Sequence, residues 1–311
     1  MPTFFNRLNT LLLMLLVLMA AAIIAILAQR ASAGPLDPPS APGPTLPQVA
    51  PRSPIPPVGW DGLTWPIVIS TPGSYFLTRN LGVNSGSTSA IQVTASDVTI
   101  DLNGFTLDGL NGACCGHGID VAAVISNLTV RNGTLRRWST GIQANGNVTG
   151  YATQSRFEDL LVTDSGAAGI RADSGTVIQR VTVQRTNGTG IRITDQGFLY
   201  LGGLIEDCVV TENTLGVNIQ ANNVTLRRCV VDSSTNDGAT VSGAFDVLVD
   251  NTFQGTNVGP GVALSGSVNT VTRNVFANVA GGAVVNTGVA NRIGPLDGTL
   301  TGTQPWSNAG P

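Results

Sequence analysis

A small residue, an aliphatic one, an outward-type residue and a second apolar one recur along this chain at intervals of 21 to 28 residues, as in Gly190-Ile191-Arg192-Ile193. The beats fall at Ile91, Ile119, Ile142, Ile170, Ile191, Val217, Ala239, Val262 and Ala283, and all but the first follow a glycine. A period this short limits the chain to stacked units, because one repeat cannot bury its own apolar face. Each beat is followed by a second apolar anchor: Leu102, Val130, Phe157, Ile178, Ile205, Leu226, Leu248, Val271 and Ile293. Five residues further on, the first eight coils carry a third: Leu107, Leu135, Val162, Val183, Val210, Val231, Phe253 and Phe276. Three short strands per turn, joined by Gly, Asn, Asp and Ser, predict an all-β, single-stranded parallel β-helix of about nine coils. Alternation turns Ile191 and Ile193 inward and Arg192 and Thr194 outward. A β-sandwich is the competing fold, but it leaves the repeated chemistry of each position unexplained.

Residues 1–33 read as a signal peptide: Arg7, an apolar run over 11–28, and the small-x-small site Ala31-Ser32-Ala33. The run is also long enough to remain as an N-terminal anchor, the one membrane contact expected. Either reading places the remainder in the periplasm, at the cell surface or in the medium. Residues 34–64 form a Pro-rich tether, and 65–311 the solenoid, with Ile67-Val68-Ile69 and Ser74-Tyr75-Phe76-Leu77 as its N-terminal cap.

The basic residues number 16, all arginine, which excludes Schiff-base chemistry and lysine-based phosphate loops. His117 is the single histidine, so multi-histidine metal sites are excluded. Cys114, Cys115, Cys208 and Cys229 lack zinc spacing. Scattered arginines in a chain of net charge −3 form no basic stripe, and nucleic acid is not an expected partner.

The chain resembles the right-handed parallel β-helix repeat proteins of the pectate-lyase-like superfamily over about residues 65 to 311. The resemblance rests on Pro72-Gly73-Ser74-Tyr75-Phe76-Leu77, Val98-Thr99-Ile100-Asp101-Leu102-Asn103-Gly104-Phe105 and Val130-Arg131-Asn132-Gly133-Thr134. Arg292-Ile293-Gly294-Pro295 and Pro305-Trp306-Ser307-Asn308 extend it. It implies the fold. It implies no single activity, because that superfamily mixes lyases, hydrolases, isomerases and proteins without a known reaction. Gly116-His117-Gly118 resembles the Gly-His-Gly piece of polygalacturonases, but their preceding Asp-bearing motifs are absent and Arg192-Ile193 lacks the following lysine. His117 is therefore not expected to be catalytic. A pectate-type lyase would need Ca2+ on clustered carboxylates and an arginine or lysine base. Arg171 or Arg192 could serve as base, yet Asp120, Asp173 and Asp195 do not form a cluster of three on one face. No metal or other cofactor is expected, Ca2+ excepted if the chain is a lyase.

Stacking turns equivalent positions into columns about 4.8 Å apart per step. The column Asp159, Arg180, Asp207, Arg228, Asp250, Arg273 alternates in sign and is read as a register-setting ladder, each exposed pair contributing little. Val181, Cys208, Cys229, Asn251 and Asn274 should point inward, the asparagines as an amide ladder and the cysteines as stacked thiols. A Cys208–Cys229 disulfide is the competing reading, since export permits one, although parallel side chains suit it poorly. The outward column beside the beat reads Gln92, Asp120, Gln143, Arg171, Arg192, Asn218, Thr240. There Arg171 and Arg192 become neighbours with no acid between them, and Asp173, two residues on, is placed to relieve them. The beat-to-anchor distance is 8 to 11 residues in seven coils but 15 from Ile142 and 14 from Ile191. These two insertions carry Tyr151, and Phe198 with Tyr200, and exposed aromatic rings stack on sugar faces. Gln143, Tyr151, Arg171, Asp173, Arg192, Phe198 and Tyr200 are thus the candidate substrate-binding residues. The expected function is binding of a surface or extracellular polymer, an acidic polysaccharide, without turnover. A polysaccharide lyase or glycoside hydrolase acting on a uronate polymer, and a structural envelope spacer, are the competing readings.

Overall fold

The computed structural model describes residues 51–56, 64–84, 88–110, 116–145, 151–195 and 201–294, and the backbone of 297–298. The export segment 1–33 with its apolar run 11–28, most of the tether, Cys114, Cys115, Phe198 and Tyr200 lie outside the described residues.

The beat strands assemble into a ten-stranded parallel sheet, here the front sheet. Its register runs Ile67↔Ile91↔Ile119↔Ile142↔Ile170↔Ile191↔Val217↔Ala239↔Val262↔Val284. One expected beat shifts. Val284, not Ala283, stands opposite Val262, because Gly281-Gly282 adds a residue at this corner and Gly282 adopts a left-handed φ of 93°. The strands of the second and third anchors form the other walls, again parallel. In the first coil Ile100, not Leu102, aligns with Val130. Leu102 lies in the extra turn closed by Asn103 (φ 52°) and Gly104 (φ 79°), and it stays fully buried.

The glycine of the beat has a steric cause. A Cβ on Gly190 would sit 2.6 Å from Val210 Cγ1 and 2.7 Å from Gly216 O. The same conflict joins Gly141 to Val162, Gly169 to Val183, Gly216 to Val231, Gly238 to Phe253 and Gly261 to Phe276. In these coils the third anchor fills the space that a side chain at the beat glycine would take. Towards the C-terminal end those anchors grow to Phe253 and Phe276, whose rings stack at 5.3 Å.

Parallel strands need their bends satisfied, and buried asparagines do this. Asn274 Oδ1 accepts from Asn251 N (2.9 Å) and Nδ2 (3.0 Å), while Asn251 Oδ1 accepts from Cys229 N (2.9 Å). Cys208 and Cys229 continue the column as free buried thiols. The alternating column lies where the chain turns between anchors, and all six of its residues have φ between 51° and 58°. That left-handed bend throws the side chains outward, and each arginine reaches back to the preceding aspartate: Arg180–Asp159 (2.7 Å), Arg228–Asp207 (2.8 Å), Arg273–Asp250 (2.7 Å). A second set, not anticipated, joins Arg137 to Asp108 and Arg185 to Asp164 at the next bend.

The strands Ile67–Ile69, Gly73–Leu77 and Leu81–Val83 pair in parallel register with the coil below them. Within the stretch read as tether, Ser53–Ile55 pairs with Tyr75–Leu77, and Arg52 reaches across to Asp101 at 2.9 Å.

Candidate functional site

The outward residues of the front sheet follow the register Gln92↔Asp120↔Gln143↔Arg171↔Arg192↔Asn218↔Thr240. Strand alternation places every one of them on the same face. Arg171 and Arg192 are therefore lateral neighbours, both half-buried. Among the described residues no carboxylate ion-pairs with either. Arg192 spends its guanidinium on a neutral partner, donating from Nη2 to Gln220 Oε1 at 2.7 Å and from Nε at 3.2 Å. Arg171 Nε is buried without a hydrogen-bond partner. Burial, and then the charge of Arg192, push the Arg171 guanidinium below its ordinary pKa. The fold holds this cation against both desolvation and repulsion.

Asp173 is fully buried, and its Oδ1 accepts from Ser174 N at 2.8 Å. Its backbone partner is Thr194, whose Oγ1 accepts from Asn145 Nδ2 at 2.8 Å. Asn145 Oδ1 in turn accepts from Gln143 Nε2 at 3.1 Å. This bridge spans three rungs and fixes Gln143, leaving Gln143 Oε1 buried and unpartnered. Tyr151 begins a short strand, Tyr151–Thr153, that pairs with Val124–Ser126, and Ala152 N donates to Ala144 O at 2.8 Å. The first insertion thus leaves and rejoins the wall directly after the Gln143 strand. The expected contribution of Phe198 and Tyr200 falls outside the described residues.

His117 is the neighbour that the motif comparison set aside. It heads the strand His117–Val121, is half-buried, and stands opposite Thr140 on the next rung. Burial lowers its pKa, Asp120 opposes that and Arg171 adds to it, so the imidazole feels both charged groups of the outward column. Burial raises the pKa of Asp120, while His117 and a hydrogen bond from Gln92 oppose the rise. Buried atoms without a hydrogen-bond partner recur on these adjacent rungs: His117 Nδ1, Thr140 Oγ1, Gln143 Oε1, Arg171 Nε and Asn218 Oδ1. Each such atom costs about 1–3 kcal/mol if it stays unmatched. The available signal in the sequence was positional. His117 directly precedes a beat glycine, and Asn218 stands in the same outward column as the arginines.

Among the described residues no group of three His, Cys, Asp or Glu side chains converges on a cation position.

Residues 165–293 match a family described as right handed beta helix region. With the register above, the chain is a right-handed parallel β-helix protein. Among solved structures, the A-module of the Azotobacter vinelandii mannuronan C-5 epimerase AlgE6 is similar over 76% of this chain and 89% of that one, at 14% identity and a TM-score of 0.54. The A-module of the AlgE4 epimerase of the same organism covers 81% and 88%, at 16% identity and a TM-score of 0.44. The periplasmic alginate epimerase AlgG covers 76% and 77%, at 11% identity and a TM-score of 0.44. At these identities the likeness is one of fold. No match is found among curated proteins.

Proposed function

We propose that the front sheet between the Ile119 and Val217 rungs binds an acidic polysaccharide outside the cytoplasmic membrane. The supporting observation is the half-buried Arg171–Arg192 pair, which has no acid of its own among the described residues. An anionic group from outside offsets both the desolvation of Arg171 and its repulsion by Arg192. A polymer carrying one carboxylate per sugar supplies such groups repeatedly, along a face whose rungs are also repeated. Gln143, Asn218, Thr140 and His117 carry buried polar atoms without hydrogen-bond partners on the same rungs. The AlgE6 module, which shares the fold, is named for action on mannuronan.

One observation favours turnover as a second reading: His117 and Asp120 shift each other's protonation beside Arg171. The deciding experiment incubates the full chain with polymannuronate, polygalacturonate and a neutral glucan. Binding is followed by calorimetry, and product by ultraviolet absorbance and by NMR of the recovered polymer. Binding of the acidic polymers alone, weakened by salt and lost in R171A, is the expected result. Equal binding of the neutral glucan, or none of any polymer, would refute the proposal. Sustained product formation would replace binding by catalysis.

A further inference from the structure

A second amide ladder runs inside the bend that precedes the second anchors. Asn291 Oδ1 accepts from Asn269 N (2.8 Å), Asn269 Oδ1 from Asp246 N (2.7 Å), and Asp246 Oδ1 from Val224 N (2.8 Å). The two asparagines use the other end of the amide in the same way. Asn269 Nδ2 donates to Gly243 O at 3.0 Å, and Asn291 Nδ2 to Gly266 O at 3.0 Å. Asp246 has no amide nitrogen to offer at that place. The glycines flanking the ladder show where its second oxygen lies. A Cβ on Gly288 would meet Gly266 O and Asn291 Nδ2 together, and a Cβ on Gly243 would meet Ala221 O and Asp246 Oδ2 together. By this equivalence Asp246 Oδ2 occupies the amide-nitrogen position, turned towards the Ala221 carbonyl.

An ionised carboxylate would set two acceptors against each other there. Asp246 is fully buried, Oδ2 has no hydrogen-bond partner, and no ion pair reaches it among the described residues. The groups packed around it are neutral: the Val224 amide, the Asn269 rung, and the backbone at Ala221 and Gly243. Among the described residues no arginine, histidine or second acid shifts its titration, which burial raises and the Val224 amide lowers. Uncompensated burial of a charge is far more costly than burial of the neutral acid.

We propose that Asp246 carries a proton on Oδ2 in the folded chain and donates it to the Ala221 carbonyl, so that this rung is complete in acid and broken in base. The proton completes the pattern that Asn269 and Asn291 make with an N–H. Burial pushes the Asp246 carboxyl up to about 7, with the Val224 amide opposing. The folded value lies above the unfolded one, about 3.9. The associated stability is therefore full below that unfolded value, declines as pH rises, and is gone above about 7.

The test compares the full chain with D246N by urea unfolding from about pH 5 to pH 8. Asparagine restores the donor used by the neighbouring rungs without a proton to lose. The midpoint of the natural chain should fall relative to that of D246N across this range, and the gap should stop widening above about pH 7. The carboxyl carbon resonance of Asp246 in the natural chain gives a reading that does not depend on the variant folding. It should report a protonated acid at pH 5 that titrates near neutrality. A gap that does not change with pH, or a carboxyl already ionised at pH 5, overturns the proposal.

Discussion

Arg171 and Arg192 stand directly opposite each other on adjacent parallel strands, with no carboxylate paired to either among the described residues. Elsewhere on this surface arginines are matched to acids one coil away, as at Arg180–Asp159 and Arg228–Asp207. The substitution R192D would extend that matching to the front sheet. It should raise stability by up to about 1 kcal/mol in urea unfolding, by exchanging repulsion for attraction beside a half-buried cation. The same substitution should abolish binding of acidic polymer. A loss of stability together with retained binding would contradict the role given to the pair.

Gly190 and Val210 compete for one volume, since a Cβ on the glycine would lie 2.6 Å from Val210 Cγ1. G190A should cost about 1–3 kcal/mol through overpacking. V210A opens that space, so the double variant G190A/V210A should be less destabilised than the sum of the singles. A cycle of four unfolding curves measures the coupling. Strict additivity would mean that the Gly216 carbonyl, not Val210, enforces the glycine.

Asn274 is a fully buried donor and acceptor at once: Oδ1 serves Asn251, and Nδ2 donates to Leu248 O at 2.8 Å. N274A leaves at least two buried backbone groups unmatched, for a cost of about 2–5 kcal/mol. The effect should appear as a large drop in the unfolding midpoint. Hydrogen exchange should place the loosening at the Thr252–Gln254 and Val275–Ala277 strands.

The binding face should respond to pH through His117. Burial, with Arg171 adding to it, holds the imidazole below its ordinary pKa, so it is neutral at pH 7. A bound anion offsets Arg171 and favours protonation, so affinity for acidic polymer should rise as pH falls below neutrality. For stability the sign is opposite. The folded value is depressed, so the contribution of the neutral imidazole is lost as pH falls through the unfolded value towards the folded one. H117Q should flatten the pH dependence of binding while retaining binding at pH 7, as calorimetry at several pH values would show. An unchanged pH profile would remove His117 from the site.

The fold was legible because every coil solves the same burial problem. The apolar alternation of Ile191 and Ile193 recurs wherever a strand must cover the strand before it. Legibility failed at single residues. Ala283 yielded its place to Val284, and Leu102 to Ile100, where left-handed turns absorbed extra residues. Spacing counts residues, whereas register depends on backbone dihedrals that any of several residues can adopt. The pairing of Arg171 with Arg192 was read correctly, because it needed only the repeat. The burial of Asp173 and its bond from Ser174 N depend on contacts between coils that no spacing encodes.

By itself, the sequence determined the period, the inward and outward faces, and the unpaired charges beside the beat, all of which follow from two-residue alternation in stacked strands. The tertiary structure alone decided which polar groups lack water and partners. It set His117 within the field of Arg171, and it put a carboxyl at Asp246 where its neighbours use an amide. Those outcomes depend on atoms brought together from different coils, and on the loss of solvent around them, which no single coil encodes.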